Sequence, residues 1–293
     1  MLIIFDSNYV GYVSAFALSQ GLTYRGGRTE VIFGFLNKIL TICNLFEPEQ
    51  IAFCWDSIKS KRKEIFPEYK SRKDSRTEEE IASFAIVHKQ FDEIRNVVLP
   101  NLGFSNIFMQ EGYEGDDLIA RLVVGQNKNG NEQPIVVAND EDLFQLLDYC
   151  RIFNAVKKTT VNKRDFEYNY QIEPSRWAEV KSIAGCKSDK VPSLRKGLGS
   201  KTAIKYLKGQ LSGETKAFID NSEEDRKRNR ILVTLPFPGT RRTLLKQNSL
   251  SVQKLQYIIE EYGFSSMDNH KTINSWERTI KILNQVLSQG GEK

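Results

Sequence analysis

Carboxylates carry most of the chemistry that this 293-residue sequence offers. Asp6 ends the apolar run LIIFD, Asp56 ends IAFCWD, and Asp140, Glu141 and Asp142 follow PIVVAN. A fourth group, Glu114, Asp116 and Asp117, stands in EGYEGDDLIA. Gathering like charges away from bulk water is unfavourable unless a cation lies between them. Histidine is scarce, with His88 and His270 alone, and the four cysteines lack CxxC spacing. Zinc centres and histidine-based nucleophilic triads are therefore poorly supported. Hard oxygen ligands select Mg2+ or Mn2+. Two such ions about 3.5–4 Å apart suit in-line displacement at phosphorus.

Acids so far apart in sequence need a scaffold that brings them together. Short continuous apolar runs ahead of Asp6, Asp56 and Asp140 predict strands buried on both faces, as in a parallel sheet. RTEVIFGFLNKILTICNLF lies between the first two runs and has helical periodicity. Thr29 is its expected cap, and Ile32, Phe33, Leu36, Ile39, Leu40 and Cys43 its buried face. A second helix is expected to open at Thr77-Glu78-Glu79-Glu80, which has capping-box spacing. Strands alternating with helices form βαβ units, and ligands bind at the carboxyl ends of their strands. Acids at a helix start are ordinarily caps that favour the dipole, so no single group decides the matter. Four groups meeting at one sheet edge call for a cation. After about residue 165 the texture becomes helical, with PSRWAEVKSIAG and SKTAIKYLKGQ joined by the loop CKSDKVPSLRKGLG. The expected division is an α/β core over 1–165 and a helical region over 166–293. SQGGEK is expected to fray.

Hydrophobic residues make up 40% of the chain and charged residues 27%, which describes a globular protein rather than a disordered one. No apolar run approaches the roughly 18 residues of a membrane span. MLIIFDSN lacks a basic lead and a cleavage site, and the cysteines are unpaired in pattern, so a reduced, cytoplasmic protein is expected. The net charge of +5 is segregated. Lys59–Arg76 holds eight basic residues against three acidic, and Lys181–Lys208 holds eight against one. Two basic blocks beside clustered acids suit a nucleic-acid partner and a metal.

The ordered blocks IFDSN, FCWDS, PEYKSRK, GYEGDDLIA, VVANDEDLFQLL and AGCKSDKVPSLRKGLGSKTA resemble the 5′-nuclease family over about residues 1–240. That family includes flap endonucleases, phage 5′–3′ exonucleases and the 5′-nuclease domain of bacterial DNA polymerases. The length is similar to that of a stand-alone bacteriophage-type member, which implies the host cytoplasm and a role in DNA replication or repair. The resemblance implies a PIN-like nuclease core, a basic helical arch at about 57–90, and a helix–three-turn–helix DNA-binding region. It implies metal ligation by Asp6, Asp56, Glu114, Asp116, Asp117, Asp140, Asp142 and Asp189. Asp6, Asp56, Lys70, Asp116 and Asp142 are the implied catalytic set, with Lys70 touching the scissile phosphate. In the fuller scheme Asp56, Glu114 and Asp116 hold one Mg2+ or Mn2+, with Asp6 orienting its water. Asp140, Asp142 and Asp189 hold the other.

DNA contacts are implied for Tyr69, Lys70, Arg72 and Lys73 in the arch. Lys181, Gly197, Gly199, Lys201 and Lys205 are implied in the second region, whose glycine-rich loop is also a K+ position. The implied substrates are flapped, branched or 5′-ended DNA, with RNA–DNA hybrids, and the implied state is a monomer that meets replication proteins. Hydrolysis would leave a 5′-phosphate. One block departs from the family pattern G-D-x-x-D-N: this chain has Gly185-Cys186-Lys187-Ser188-Asp189-Lys190. Cys186 replaces the first acid, and a thiol is a poor partner for Mg2+. A weakened second metal position, shifted toward Mn2+, is the expectation. Two rivals remain: a DNA-structure-binding protein with weakened catalysis, and a PIN-type ribonuclease, which needs neither the arch nor the second region.

Overall fold

The computed structural model describes residues 1–17, 21–71, 77–126 and 132–284. Its strands are β1 (Leu2–Asp6), β2 (Thr23–Tyr24), β3 (Gly27–Arg28), β4 (Gln50–Cys54), β5 (Ile107–Phe108), β6 (Ile135–Val137), β7 (Arg151–Asn154) and β8 (Thr159–Val161). Six of them form one sheet in the order β5-β4-β1-β6-β7-β8. The first five run parallel and β8 pairs antiparallel with β7. β2 and β3 form a separate hairpin.

The apolar runs are continuous because both faces of the sheet are covered. With the strand period of two, Ile3, Phe5, Ile51, Phe53, Ile135 and Val137 enter one core. Leu2, Ile4, Ala52, Cys54, Val136 and Ala138 enter the other. The first core is closed by helix Glu30–Phe46 together with Phe91, Leu255, Ile258, Trp276 and Leu283. C-terminal helices Val252–Tyr262 and His270–Asn284 thus pack on the same face as the N-terminal ones. Leu118, Ile119, Leu122, Trp177, Val180 and Ala203, from three further helices, close the second. All four cysteines are buried and free. No helix among the described residues is long and apolar enough to cross a membrane.

Two capping expectations separate. Thr77 accepts from the Glu80 N–H at 3.2 Å and the Glu80 carboxylate accepts from the Thr77 N–H at 2.8 Å, so helix Glu78–Glu93 opens on the expected box. Thr29 makes no side-chain cap; its hydroxyl donates to the Leu22 carbonyl instead. Phe33 is only partly buried, whereas Val31, Phe35 and Ile42 are fully so, because the helix lies between the sheet and other helices.

The strand order reverses at β1. The chain adds β4 and β5 on one side of it and then crosses to add β6, β7 and β8 on the other. Such a reversal opens a crevice beyond the carboxyl ends of the central strands. Asp6, Asp56 and Asp140 lie at the carboxyl ends of β1, β4 and β6.

Candidate active site

Asp6, Asp56, Asp116 and Asp140 line one cavity of about 230 Å3, together with Lys70, Asn8, Tyr9, Tyr12 and Asn139. Three of these acids accept a backbone N–H. The Tyr9 N–H donates to Asp6 Oδ1 at 3.0 Å, the Gly115 N–H to Asp56 Oδ1 at 2.7 Å, and the Asp142 N–H to Asp140 Oδ1 at 2.7 Å. The last is the cap of a two-turn 3-10 helix, Glu141–Leu146. Asp116 lies in the first turn of helix Gly115–Gln126. Gly115 can approach Asp56 so closely because it has no side chain: a Cβ there would meet Asp56 Oδ1 at 3.2 Å. Asn8 and Asn139, which the sequence reading missed, brace the rim. Asn8 accepts from the Asp56 N–H at 3.0 Å, and Asn139 accepts from the Asn154 amide at 2.6 Å. The only signal for either was adjacency to an acid-bearing strand end.

Burial raises the proton affinity of all four carboxylates, and neighbouring acids add to it. Burial pushes Asp6 up to about 7, with Asp56 and Asp140 adding to the rise. Asp116 is raised well above its ordinary value by burial and then by Asp140, Asp6 and Asp56. Burial also raises Asp56 and Asp140, with Asp142 adding to the latter. Among the described residues, only one oxygen each of Asp6, Asp56 and Asp140 has a hydrogen-bond donor, and Asp116 has none. An all-oxygen set with free lone pairs and mutual repulsion fits a hard divalent cation.

A second group lies around Lys70, whose backbone takes φ +48° as its N–H donates to the Asp189 carbonyl at 2.8 Å. Its ammonium donates to Glu114 Oε2 at 3.0 Å and lies 3.6 Å from Asp189 Oδ1. Burial opposes its charge, but Glu114 and Asp189 hold its pKa above the ordinary lysine value. Glu114 shows the converse: burial raises it, yet Lys70 and Arg62 leave it below the ordinary range. Asp189 is raised by burial despite Lys70. Lys70 therefore joins the cavity acids to the Glu114–Asp189 pair.

Several expected site residues lie elsewhere. Asp117 does not line the cavity. It is fully buried and accepts from Arg62 Nη1 at 2.7 Å, Arg62 Nη2 at 2.8 Å and the Phe237 N–H at 2.8 Å. Expected as a metal ligand, it is instead already neutralised by a buried guanidinium. Tyr69, expected on DNA, is 1% exposed; its hydroxyl lies 3.0 Å from Glu114 Oε2 and 3.1 Å from Asp189 Oδ2. Lys181, expected on DNA, is buried with its ammonium 2.9 Å from Asp142 Oδ1. Asp142 is likewise buried and lies outside the cavity lined by Asp140. Arg72, Lys73 and the tail SQGGEK lie outside the described residues.

Asp142, Cys186 and Asp189 form the one set of three among the described residues whose ligand atoms lie within 4.8 Å of one another. Its chemistry is unlike that of the cavity. Cys186 donates to Asp142 Oδ2 at 3.4 Å, and burial followed by Asp142 pushes its thiol up to about 12. A protonated thiol in place of a carboxylate, beside a lysine, does not fit a hard cation.

The second basic block presents a different surface. Gly197 takes φ +91°, and a Cβ at Gly197 or Gly199 would meet nothing within 4 Å, so the loop stands open. Gly199 precedes helix Ser200–Leu207 without a side-chain cap, leaving the first N–H groups of that helix for another acceptor. Lys201 and Lys205 are exposed one turn apart on the same helix.

Comparison with known proteins agrees with this arrangement. Residues 1–171 match the family profile described as "5'-3' exonuclease, N-terminal resolvase-like domain". DNA polymerase I of Chloroflexus aurantiacus is 32% identical over 71% of this chain, which spans 22% of the polymerase. The 5'-3' exonuclease of Aquifex aeolicus is 28% identical over 71% of this chain and 68% of its own length. The fold is shared with the T5 D15 protein co-crystallised with metal ions, at a TM-score of 0.69 and 20% identity, covering 96% of this chain and 98% of that one. It is also shared with flap endonuclease-1 of Methanococcus jannaschii, at 0.60 and 14%, covering 96% and 92%. With the profile matching more than half the chain, and with the acids of its strand ends meeting in one cavity, the protein belongs to the 5′–3′ exonuclease family.

Proposed function

We propose that the chain is a divalent-metal-dependent, structure-specific 5′-nuclease that acts on flapped or 5′-ended DNA. The observation that carries the reading is the cavity in which Asp6, Asp56, Asp116 and Asp140, from four separate elements, meet with Lys70 as the adjoining cation. A Mg2+ or Mn2+ ion held by these acids would polarise a phosphate oxygen and acidify a water. Asp56 and Asp140 are aimed by the Gly115 and Asp142 N–H groups, so their free oxygens are fixed before any substrate arrives. The Lys70 side chain is 39% exposed and its ammonium is tethered to Glu114, placed to exchange one carboxylate partner for a phosphate oxygen. Gly197, Gly199, Lys201 and Lys205 would grip duplex backbone without reading sequence. A structure of the same fold supports the substrate class: T5 D15 flap endonuclease has been crystallised as a pseudo-enzyme–product complex with DNA and metal ions.

The test is cleavage of a 5′-labelled flap, a blunt duplex and an RNA–DNA hybrid in Mg2+, in Mn2+ and in EDTA, with Asp116→Asn as control. Cutting near the flap junction that requires metal and Asp116 is expected. Tight flap binding without cutting in either metal would instead support the non-catalytic binding protein.

A further inference from the structure

We propose that the Lys181 ammonium is the built-in cation at the second acidic position, so that the protein takes up one divalent ion where two acid groups suggest two. The inference rests on the nuclease reading above and concerns only how its centre is charged. It follows from what already occupies the donor atoms. Asp142 Oδ1 lies 2.9 Å from Lys181 Nζ, and Asp142 Oδ2 accepts from the Cys186 thiol at 3.4 Å. Asp189 Oδ2 is 3.1 Å from the Tyr69 hydroxyl, and Asp189 Oδ1 is 3.6 Å from Lys70 Nζ. One oxygen of each carboxylate thus accepts a hydrogen bond, from Cys186 and from Tyr69, while the other is ion-paired with a lysine and Asp142 Oδ1 makes no hydrogen bond. Cys186, the third member, sits 3.0 Å from Ser188 Oγ as well.

Lys181 is not a surface side chain that happens to reach an acid. It projects from helix Trp177–Ala184 with its side chain 11% exposed, and its ammonium lies 5.6 Å from the centroid of the Trp177 ring. Asp142 is equally enclosed at 9%. Glu141 is the other carboxylate near the ammonium, at 3.8 Å, and is exposed. A divalent ion on Asp142 would share an oxygen with a lysine that has no other buried acceptor, and displacing that lysine would leave its charge uncompensated. A hard octahedral ion also gains nothing from a thiol. The cavity acids differ: backbone N–H groups donate to one oxygen of Asp6, Asp56 and Asp140, and among the described residues no lysine lies within ion-pair distance of them, although Lys70 lines the cavity. Replacing a carboxylate by Cys186 removes one negative charge from the second group, and Lys181 neutralises another. The demand for a divalent ion falls accordingly.

The test is a count of bound Mn2+ on the full-length protein without DNA, read from the loss of the free-ion electron paramagnetic resonance signal and from calorimetric stoichiometry. Wild type, Cys186→Asp and the double variant Lys181→Met/Cys186→Asp are compared, with far-UV circular dichroism checking that each is folded. One ion is expected on wild type and two on the double variant. Cys186→Asp alone should bind the second ion at least tenfold more weakly than the double variant, because Lys181 still holds Asp142. Two ions on wild type would overturn the proposal, and that count decides it even if the variants fail to fold. One ion on a folded double variant would also overturn it, since freeing Asp142 and restoring the acid would have changed nothing. No ion on wild type would sink the metal-dependent reading itself, which is a separate failure.

Discussion

The buried pair Arg62–Asp117 gives the sharpest test of which acids are structural. Asp117 accepts two guanidinium N–H groups and the backbone N–H groups of Glu114 at 3.1 Å and Phe237 at 2.8 Å. Arg62 is itself 2% exposed on its side chain, and its remaining partners are the Leu232 carbonyl at 2.8 Å, Glu114 at 3.7 Å, the Phe237 ring at 4.6 Å and the Tyr69 ring at 5.9 Å. Removing one member of a buried, hydrogen-bonded ion pair costs about 3–5 kcal/mol. Two orphaned backbone donors add roughly 1 kcal/mol each, and the contact with Glu114 returns part of the total. Asp117→Ala should therefore lower stability by about 4 kcal/mol, a large share of the 5–15 kcal/mol typical of a folded domain. With a urea slope near 3 kcal/mol/M, the unfolding midpoint should fall by roughly 1.3 M. Asp117→Asn should fall less but in the same direction, while its Mn2+ affinity stays well above that of Asp116→Asn. Replacing both members together, as Arg62→Met/Asp117→Leu, should recover most of the loss. An unchanged midpoint in Asp117→Asn, with Mn2+ affinity as poor as in Asp116→Asn, would refute the argument and return Asp117 to the ligand set.

The cavity acids predict a pH effect with a definite sign. Asp6 is raised to about 7 from 3.8, so without metal the folded protein binds more protons than the unfolded chain between those values. Stability in EDTA should fall as pH rises from about 4 to 7, and saturating Mg2+ should abolish or reverse the slope in urea melts; a metal-free curve rising over that window would contradict the assignment. Lys70→Ala should lower turnover more than duplex affinity, whereas Lys201→Ala should weaken binding and flatten the log–log salt dependence by about one unit. The opposite pattern in paired kinetic and binding assays would exchange their roles. Gly185 takes φ +75°, and a Cβ there would lie 2.5 Å from both the Val191 carbonyl oxygen and the Ser193 nitrogen. Gly185→Ala should cost at least about 1 kcal/mol and disturb the Cys186–Val191 bridge, visible as a lower melting midpoint; an unchanged midpoint would show that the turn can relax.

Much of the scaffold was legible because it is written in local pattern. The apolar runs before Asp6, Asp56 and Asp140 are the three central strands, and their parallel register puts those acids at one edge. Thr77 and Glu80 cap as their spacing predicts, since both partners lie within one turn. Thr29 has the right residue type but turns its hydroxyl to Leu22, a contact decided by the loop it closes rather than by its neighbours. The cavity set of Asp6, Asp56, Asp116 and Asp140 could be picked as acids, but Asp117 could not be told from Asp116. Adjacent residues on a helix point about 100° apart, and which one faces the crevice depends on where the helix docks.

Charge pairing was the least legible. Arg62 and Asp117 are 55 residues apart, and many basic residues of the same block could have served as the partner. Lys181 and Tyr69 read as surface groups in a basic sequence, yet packing buries both against acids. The sequence by itself determined the three central strands, the capped start at Thr77, the inventory of acids and the family. Only the tertiary structure decided which acids keep a free oxygen for a metal and which are already neutralised, because a carboxylate's partner is chosen by contact in space, where an arginine or lysine excluded from water must find the nearest anion.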